Sequence, residues 1–157
     1  MQIKEEQTLE MHNVLSFRAK MTQQELMEKA KELENIMQDN GAQRTGSVVT
    51  ATFAVEQSAR GVVMDMEFLL PLDREIVAPT GFVWKPHFLL TNAVVVRHIG
   101  NPSGLQESVN ALNAYIAQHR LTPITVGYNV TVKEAKTPLE LDDMIVDIYV
   151  GISPNLL

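Results

Sequence analysis

The sequence predicts an α+β fold made of two β-α-β-β units, and three observations predict it. Two amphipathic helices bury the same four positions at a fixed spacing, β-branched runs follow each helix, and the segments before and after the helices keep the same register. At 157 residues, with 45% hydrophobic and 20% charged residues, the chain is long enough for one well-buried domain and carries no low-complexity tract. The whole chain, 1–157, therefore reads as a single domain of two repeats, about 12–72 and 91–152, joined by a linker over 73–90.

The first element is "VLSFRAKM", a short strand ending just before a helix signal. "TQQELMEKAKELENIMQDNG" then opens with Thr22 and Glu25 at capping-box spacing and closes on Asn40-Gly41, a C-terminal stop. Its apolar stripe is Leu26, Ala30, Leu33 and Met37, and its other face is Glu/Lys-rich, with Glu25 and Lys29 spaced as an i,i+4 pair. "GSVVTATFAV" and "EFLLPL" follow as strands.

The second half repeats the scheme. "AVVVRHIG" reads as a strand, Asn101 as an N-cap with Pro102 at the first helical position, and "LTP" as the helix stop. The stripe Leu105, Val109, Leu112 and Ile116 lies 79 positions after that of the first helix, as Arg97 does after Arg18. "TVGYNVTV" is the next strand, and "DIYVGI" matches "EFLLPL" at an offset of 80. A three-stranded sheet with one helix is thin on its own, so the two sheets are expected to pool into one antiparallel sheet. Both helices would cover one side, and a groove would lie on the other.

Strand parity sharpens this. In "VVMDMEFLLPLD", Met64, Met66, Phe68 and Leu70 share one face, as do Met144, Val146, Ile148 and Val150 in the second half. These should pack under the helices. The opposite face carries Asp65 and Glu67 in one half, and Ile145, Asp147 and Tyr149 in the other. A carboxylate withdrawn from water is costly unless paired, so such a face is either solvated or used to hold a ligand.

Bulk chemistry narrows the function classes. With no cysteine there is no disulfide framework, thiolate metal site or cysteine nucleophile. A net charge of −6 with scattered basic residues disfavours phosphate backbones. The start "MQIKEEQTLEMHNV" has no signal-peptide pattern and no run nears the ~20 apolar residues of a membrane span, so the expectation is a cytoplasmic protein without membrane attachment. His12, His87, His98 and His119 lack ligand-like spacing, no phosphate loop or serine elbow appears, and no metal, cofactor or catalytic group is expected. His98 reads as a strand-end surface residue.

The duplicated unit, the entry "NAVVVRHIGNPSGLQESVNALNAYI", the strand bearing Tyr128 and the closing "VDIYVGI" resemble the effector-binding domain of the gyrase-inhibitor-like (GyrI-like) superfamily, found in bacterial AraC-type and MerR-type regulators and also alone. The resemblance spans nearly the whole chain. It implies a groove between the repeats for hydrophobic and often cationic compounds, with an acid on the last strand facing it among aromatic residues. Here Asp147 stands where Glu is usual and Gly151 replaces Pro, whereas the first half keeps the pattern at Glu67 and Pro71. The ligand-binding candidates are accordingly Glu67, Asp147, Tyr128, Tyr149, Phe53 and Trp84. Tyr128 reads more readily as core packing with a satisfied hydroxyl than as a ligand contact, and Trp84, in "PTGFVWKPHFLL", as a plug between the halves rather than a lid over the groove. No helix-turn-helix precedes the first strand, so direct DNA binding is not expected.

The leading expectation is a stand-alone protein that binds amphipathic, cationic small molecules. The alternatives are a module acting on a protein partner, and a hydrolase of strained electrophiles. In the latter Glu67 or Asp147 would be general acid/base and Tyr128 would orient the substrate. The sequence leaves the oligomeric state open.

Overall fold

The computed structural model describes residues 2–154. It is α+β with antiparallel strands throughout. In chain order the elements are β1 (Gln2–Thr22), α1 (Gln23–Asp39), β2 (Val49–Ser58), β3 (Gly61–Pro71), β4 (Val83–Ile99), α2 (Leu105–Gln118), β5 (Pro123–Lys133) and β6 (Ile145–Ile152). Short 3-10 turns at Pro102–Gly104 and Pro138–Asp143 precede α2 and β6. Among the described residues no helix is long and apolar enough to cross a membrane.

The chain divides into two compact units. One is Glu10–Phe88, here the first-repeat unit; the other, the second-repeat unit, is made of the residues up to Leu9 and those from Leu89 onward. In the first-repeat unit β3 is the central strand between β1 and β2, with Arg18, Glu67 and Ala51 side by side. In the second-repeat unit β6 is central between β4 and β5, with Arg97, Asp147 and Val130 in the corresponding row.

The repeat extends to backbone detail. The register of β2 slips between Thr52 and Ala54, and that of β5 between Thr131 and Lys133, so Phe53 and Val132 are matching bulge residues. Asn13 and Asn92 both take positive φ, at 55° and 53°. Both helices end in Schellman turns, with Ala42 N–H donating to Met37 O and Leu121 N–H to Ile116 O, each at 3.0 Å. Gly41 supplies the left-handed residue of the first turn (φ 62°), but Arg120 supplies that of the second (φ 53°).

The cores follow most of the parity expected, with three exceptions: Met64 and Met144 are only half-buried and lie outside the core clusters, Met144 because it precedes β6, and Ala30 of the expected α1 stripe is exposed. Leu15, Phe17, Met21, Phe68, Leu70 and Leu72 pack with Leu33 of α1, and Leu26, Ile36, Met37 and Met66 close the edges. In the other unit Val94, Val96, Val146, Ile148 and Val150 pack with Leu112 and Ile116 of α2. The capping box forms as read: the Thr22 hydroxyl accepts from Glu25 N–H, and the Glu25 carboxylate accepts from Thr22 N–H at 3.1 Å.

Several details differ from the sequence reading. β1 begins at Gln2 and β4 at Val83, inside stretches too charged or irregular to signal strand by apolar alternation. α2 enters through a 3-10 turn, in which the Asn101 side chain accepts from Ser103 N–H at 3.0 Å. Glu25 pairs with Arg60 at 3.0 Å and Lys29 with Glu32, because the capping box turns Glu25 towards the helix start. His98 is not a surface residue: it is 9% exposed, with Nε2 donating to Asn101 O at 2.9 Å and Nδ1 bonded to the Ser108 hydroxyl at 2.8 Å. It ties β4 to the start of α2.

Candidate functional site

The sheet faces turned away from the helices carry the acids, but they are not open throughout. Val14, Ser16, Val49, Ala51 and Leu69 are buried on that face of the first-repeat unit, and Ala93 and Val95 on that of the second. The polar rows lie beside these buried patches.

In the first-repeat unit Arg18 runs diagonally to Asp65, its Nε and one terminal nitrogen each donating to a carboxylate oxygen at 3.1 Å. The same guanidinium lies flat over Phe53, its central carbon 3.6 Å from the ring centroid. Phe53 is the extra, unpaired residue of the β2 bulge, between Thr52 and Ala54, and Ala54 stands opposite Asp65. Asp65 is held below the usual carboxylate range, first by the hydrogen bonds from Arg18, against a smaller desolvation effect. Glu67 takes a different partner, Lys85 on β4, whose Nζ is 2.9 Å away. The Glu67 side chain is 12% exposed and that of Lys85 32%. Trp84, next to Lys85, packs against the core under α1.

In the second-repeat unit Arg97 goes straight across to Asp147, forked onto both oxygens at 2.8 and 2.9 Å. Asp147 is 7% exposed, whereas the Arg97 side chain keeps 40% of its surface in solvent. The carboxylate raises the Arg97 pKa, first through these hydrogen bonds and then through its charge. The pair lies in a cleft of about 170 Å³, with Gln2, Lys4 and Gln7 of β1 on one wall and Val95 and Tyr149 on others. Burial, and then the charge of Asp147, raise the Tyr149 hydroxyl above the ordinary phenol range. Tyr128 stands beside Tyr149 in the strand register and is half-buried.

Among the six candidates, then, Asp147 and Tyr149 line one cleft with Tyr128 on the neighbouring strand. Glu67, Phe53 and Trp84 belong to the other unit. Among the described residues no buried side-chain nitrogen or oxygen lacks a partner. The acids are therefore not bare anionic spots: the chain's own cations occupy them. The arginines that do this were visible in the sequence as a pair 79 apart, but their acids were not assigned, because a long side chain on a strand reaches diagonal as well as opposite neighbours. With both Asp147 oxygens engaged by Arg97 and Glu67 held by Lys85, neither acid faces a substrate as a free general acid or base. This geometry does not favour the hydrolase alternative.

No sequence-family model and no curated protein matches the chain. Solved structures do. The C-terminal domain of EcmrR aligns over 98% of this chain and 99% of its own length, with a TM-score of 0.72 at 14% identity. EcmrR in its complex with DNA aligns with a TM-score of 0.74 at 14% identity over 96% of this chain, which spans only 57% of that longer chain. A hydrolase from Listeria innocua aligns at a TM-score of 0.60 and 12% identity over 97% of this chain and 91% of its own. SAV2435 bound to tetraphenylphosphonium aligns at 0.55 and 10% identity over 98% and 93%. At such identities the likeness is one of fold. The duplicated β-α-β-β arrangement expected from the sequence is thus a fold that this chain shares with the C-terminal domain of EcmrR.

Proposed function

We propose that this protein binds amphipathic organic cations, and that a ligand enters by replacing one of the chain's own guanidinium groups. The observation that carries this reading is the seat of Arg18: a cation lies between an aromatic face 3.6 Å away and a carboxylate it grips with two hydrogen bonds. Those are the two contacts by which proteins hold organic cations. Arg18 is half-exposed, so its head can move into water without crossing packed core. An incoming lipophilic cation would bring apolar surface to Phe53 that a guanidinium lacks, while Asp65 keeps a counter-charge throughout the exchange.

Arg97 on Asp147 is the corresponding seat of the second repeat. There the cleft of about 170 Å³ is smaller than ordinary ligand pockets of roughly 300 Å³ or more, and departure of the Arg97 head would enlarge it. The bound cation of SAV2435, a fold neighbour, supports the same class of ligand. Glu67, Tyr149 and Tyr128 border these seats, and we assign them secondary contacts.

The test uses tetraphenylphosphonium and tetraphenylborate, which share a shape and differ in charge sign, measured by calorimetry and thermal shift. Binding is expected for the cation and not for the borate. Phe53→Leu and Asp65→Asn should each weaken it about tenfold or more, whereas Arg18→Gln, which removes the internal competitor, should tighten it. Asp147→Asn run in parallel reports whether the second seat takes part. Equal binding of borate and phosphonium, or weaker cation binding in Arg18→Gln, would overturn the exchange reading.

A further inference from the structure

The four histidines are spread through the sequence, but folding brings two of them to one acid. His12 and Glu10 are alternate residues of β1, so they share a face of the strand, and His87 of β4 comes up beside them. The His87 Nε2 lies 2.7 Å from a Glu10 carboxylate oxygen, and the His12 Nε2 lies 3.9 Å from the same oxygen. The two imidazoles stack nearly parallel, with centroids 4.6 Å apart and 7° between planes. One ligand atom from each of the three residues falls within 4.8 Å of the others.

We propose that Glu10, His12 and His87 form a binding site for a divalent transition-metal ion of the zinc class. Two imidazole nitrogens and one carboxylate oxygen are the donor set that zinc accepts with a fourth position left to water. A tetrahedral ion with bonds of about 2.0–2.2 Å needs donors roughly 3.3 Å apart. The present spacings of 2.7 and 3.9 Å bracket that value. All three side chains are exposed and sit on two strands, so they can make the remaining adjustment by side-chain rotation while the backbone stays fixed. Binding replaces the His87–Glu10 hydrogen bond: the ring carries its proton on Nδ1, and Nε2 presents its lone pair to the ion. The sequence concealed the site because its ligands come from strands 75 positions apart, from His12 to His87, and no short spacing marks it.

The experiment is calorimetric titration of the untagged chain with zinc chloride, together with cobalt(II), whose visible absorption bands report four-coordination. One ion per chain is expected, with a raised Tm. His12→Ala and His87→Ala should each weaken binding at least tenfold and abolish the cobalt bands. Glu10→Gln should weaken it less, and His119→Ala, on α2's C-terminal turn, should change nothing. Exposure of the three ligands leaves the metal-free Tm of the variants near that of the native chain, which separates lost binding from lost fold. Unchanged affinity in the His12→Ala/His87→Ala double variant, or binding that disappears in His119→Ala instead, would overturn the proposal.

Discussion

The two repeats each place an arginine at the matching point of the strand beside their central strand and use it differently. Arg18 and Arg97 both stand opposite an acid, Glu67 and Asp147 respectively, on the central strand. Arg97 takes its opposite neighbour, whereas Arg18 leaves Glu67 to Lys85 and reaches diagonally to Asp65. The positions around them explain the choice. Where the first repeat has Asp65 the second has Ile145, so no diagonal acid is on offer there. Where the first repeat has Phe53 at the bulge, the second has Val132, which gives a guanidinium no ring to lie on. Two differences on a duplicated framework thus distinguish a half-buried cross-strand ion pair from a somewhat more exposed cation seat.

The largest effect expected from testing this comparison concerns Pro71 and Gly151, matching residues on the central strands. A Cβ on Gly151 would stand 2.8 Å from Leu90 Cδ1 and 3.0 Å from Thr125 Cγ2, and its N–H donates to Thr125 Oγ1 at 2.9 Å. Placing at Gly151 the residue that Pro71 is in the first repeat, Gly151→Pro, removes that donor and adds the ring to filled space. It should cost about 3 kcal/mol or more in urea denaturation. Pro71→Gly should cost roughly 1 kcal/mol or less, through chain entropy.

Next comes removal of each arginine. Arg97→Gln leaves Asp147, 7% exposed, without its fork, and should destabilise by about 2–3 kcal/mol, below the ~3–5 of fully buried pairs because Arg97 itself is part-solvated. Arg18→Gln should lower Tm distinctly less, since the Asp65 side chain is 18% exposed and Lys20 also attracts it. Equal losses would mean that the two seats are energetically alike.

A smaller effect separates the helix ends. Arg120 holds a left-handed conformation that Gly41 holds without strain at the matching turn. Arg120→Gly should therefore raise stability by up to about 1 kcal/mol, and Gly41→Ala should lower it by a similar amount.

The smallest effects are at the extremes of pH. Glu25, Asp65 and Asp73, all of the first-repeat unit, are held below the ordinary carboxylate range, by hydrogen bonds from Thr22, Arg18 and Arg74 respectively. A depressed folded pKa contributes stability that is present above the unfolded value, near pH 4, and lost as pH falls through the folded one. Tyr115, which donates to Glu5, and Tyr149, which is partly buried, are raised, and both lie in the second-repeat unit. A raised tyrosine contributes below about pH 10 and loses that contribution as pH rises further. Amide exchange followed by peptide mass should show residues 10–88 loosening first in acid and residues 89–154 first in alkali. The reverse order would mean that other groups control the limbs.

By itself the sequence determined the helices, the capping box, the strand faces and most of the buried stripes, Ala30 being the stripe position that stays exposed. Each of these is a local pattern with a period set by the backbone, and a duplicated pattern can be read twice. It also placed Glu67, Asp147 and Tyr149 on the polar rows, because parity is local too. Only the tertiary structure decided which acid each arginine grips, that Lys85 neutralises Glu67, that His98 is buried against Ser108, and that His12 and His87 meet at Glu10. Those pairings join strands distant in sequence, and side chains several bonds long choose among opposite and diagonal neighbours. The choice therefore depends on what the flanking positions offer, and periodicity carries no record of it.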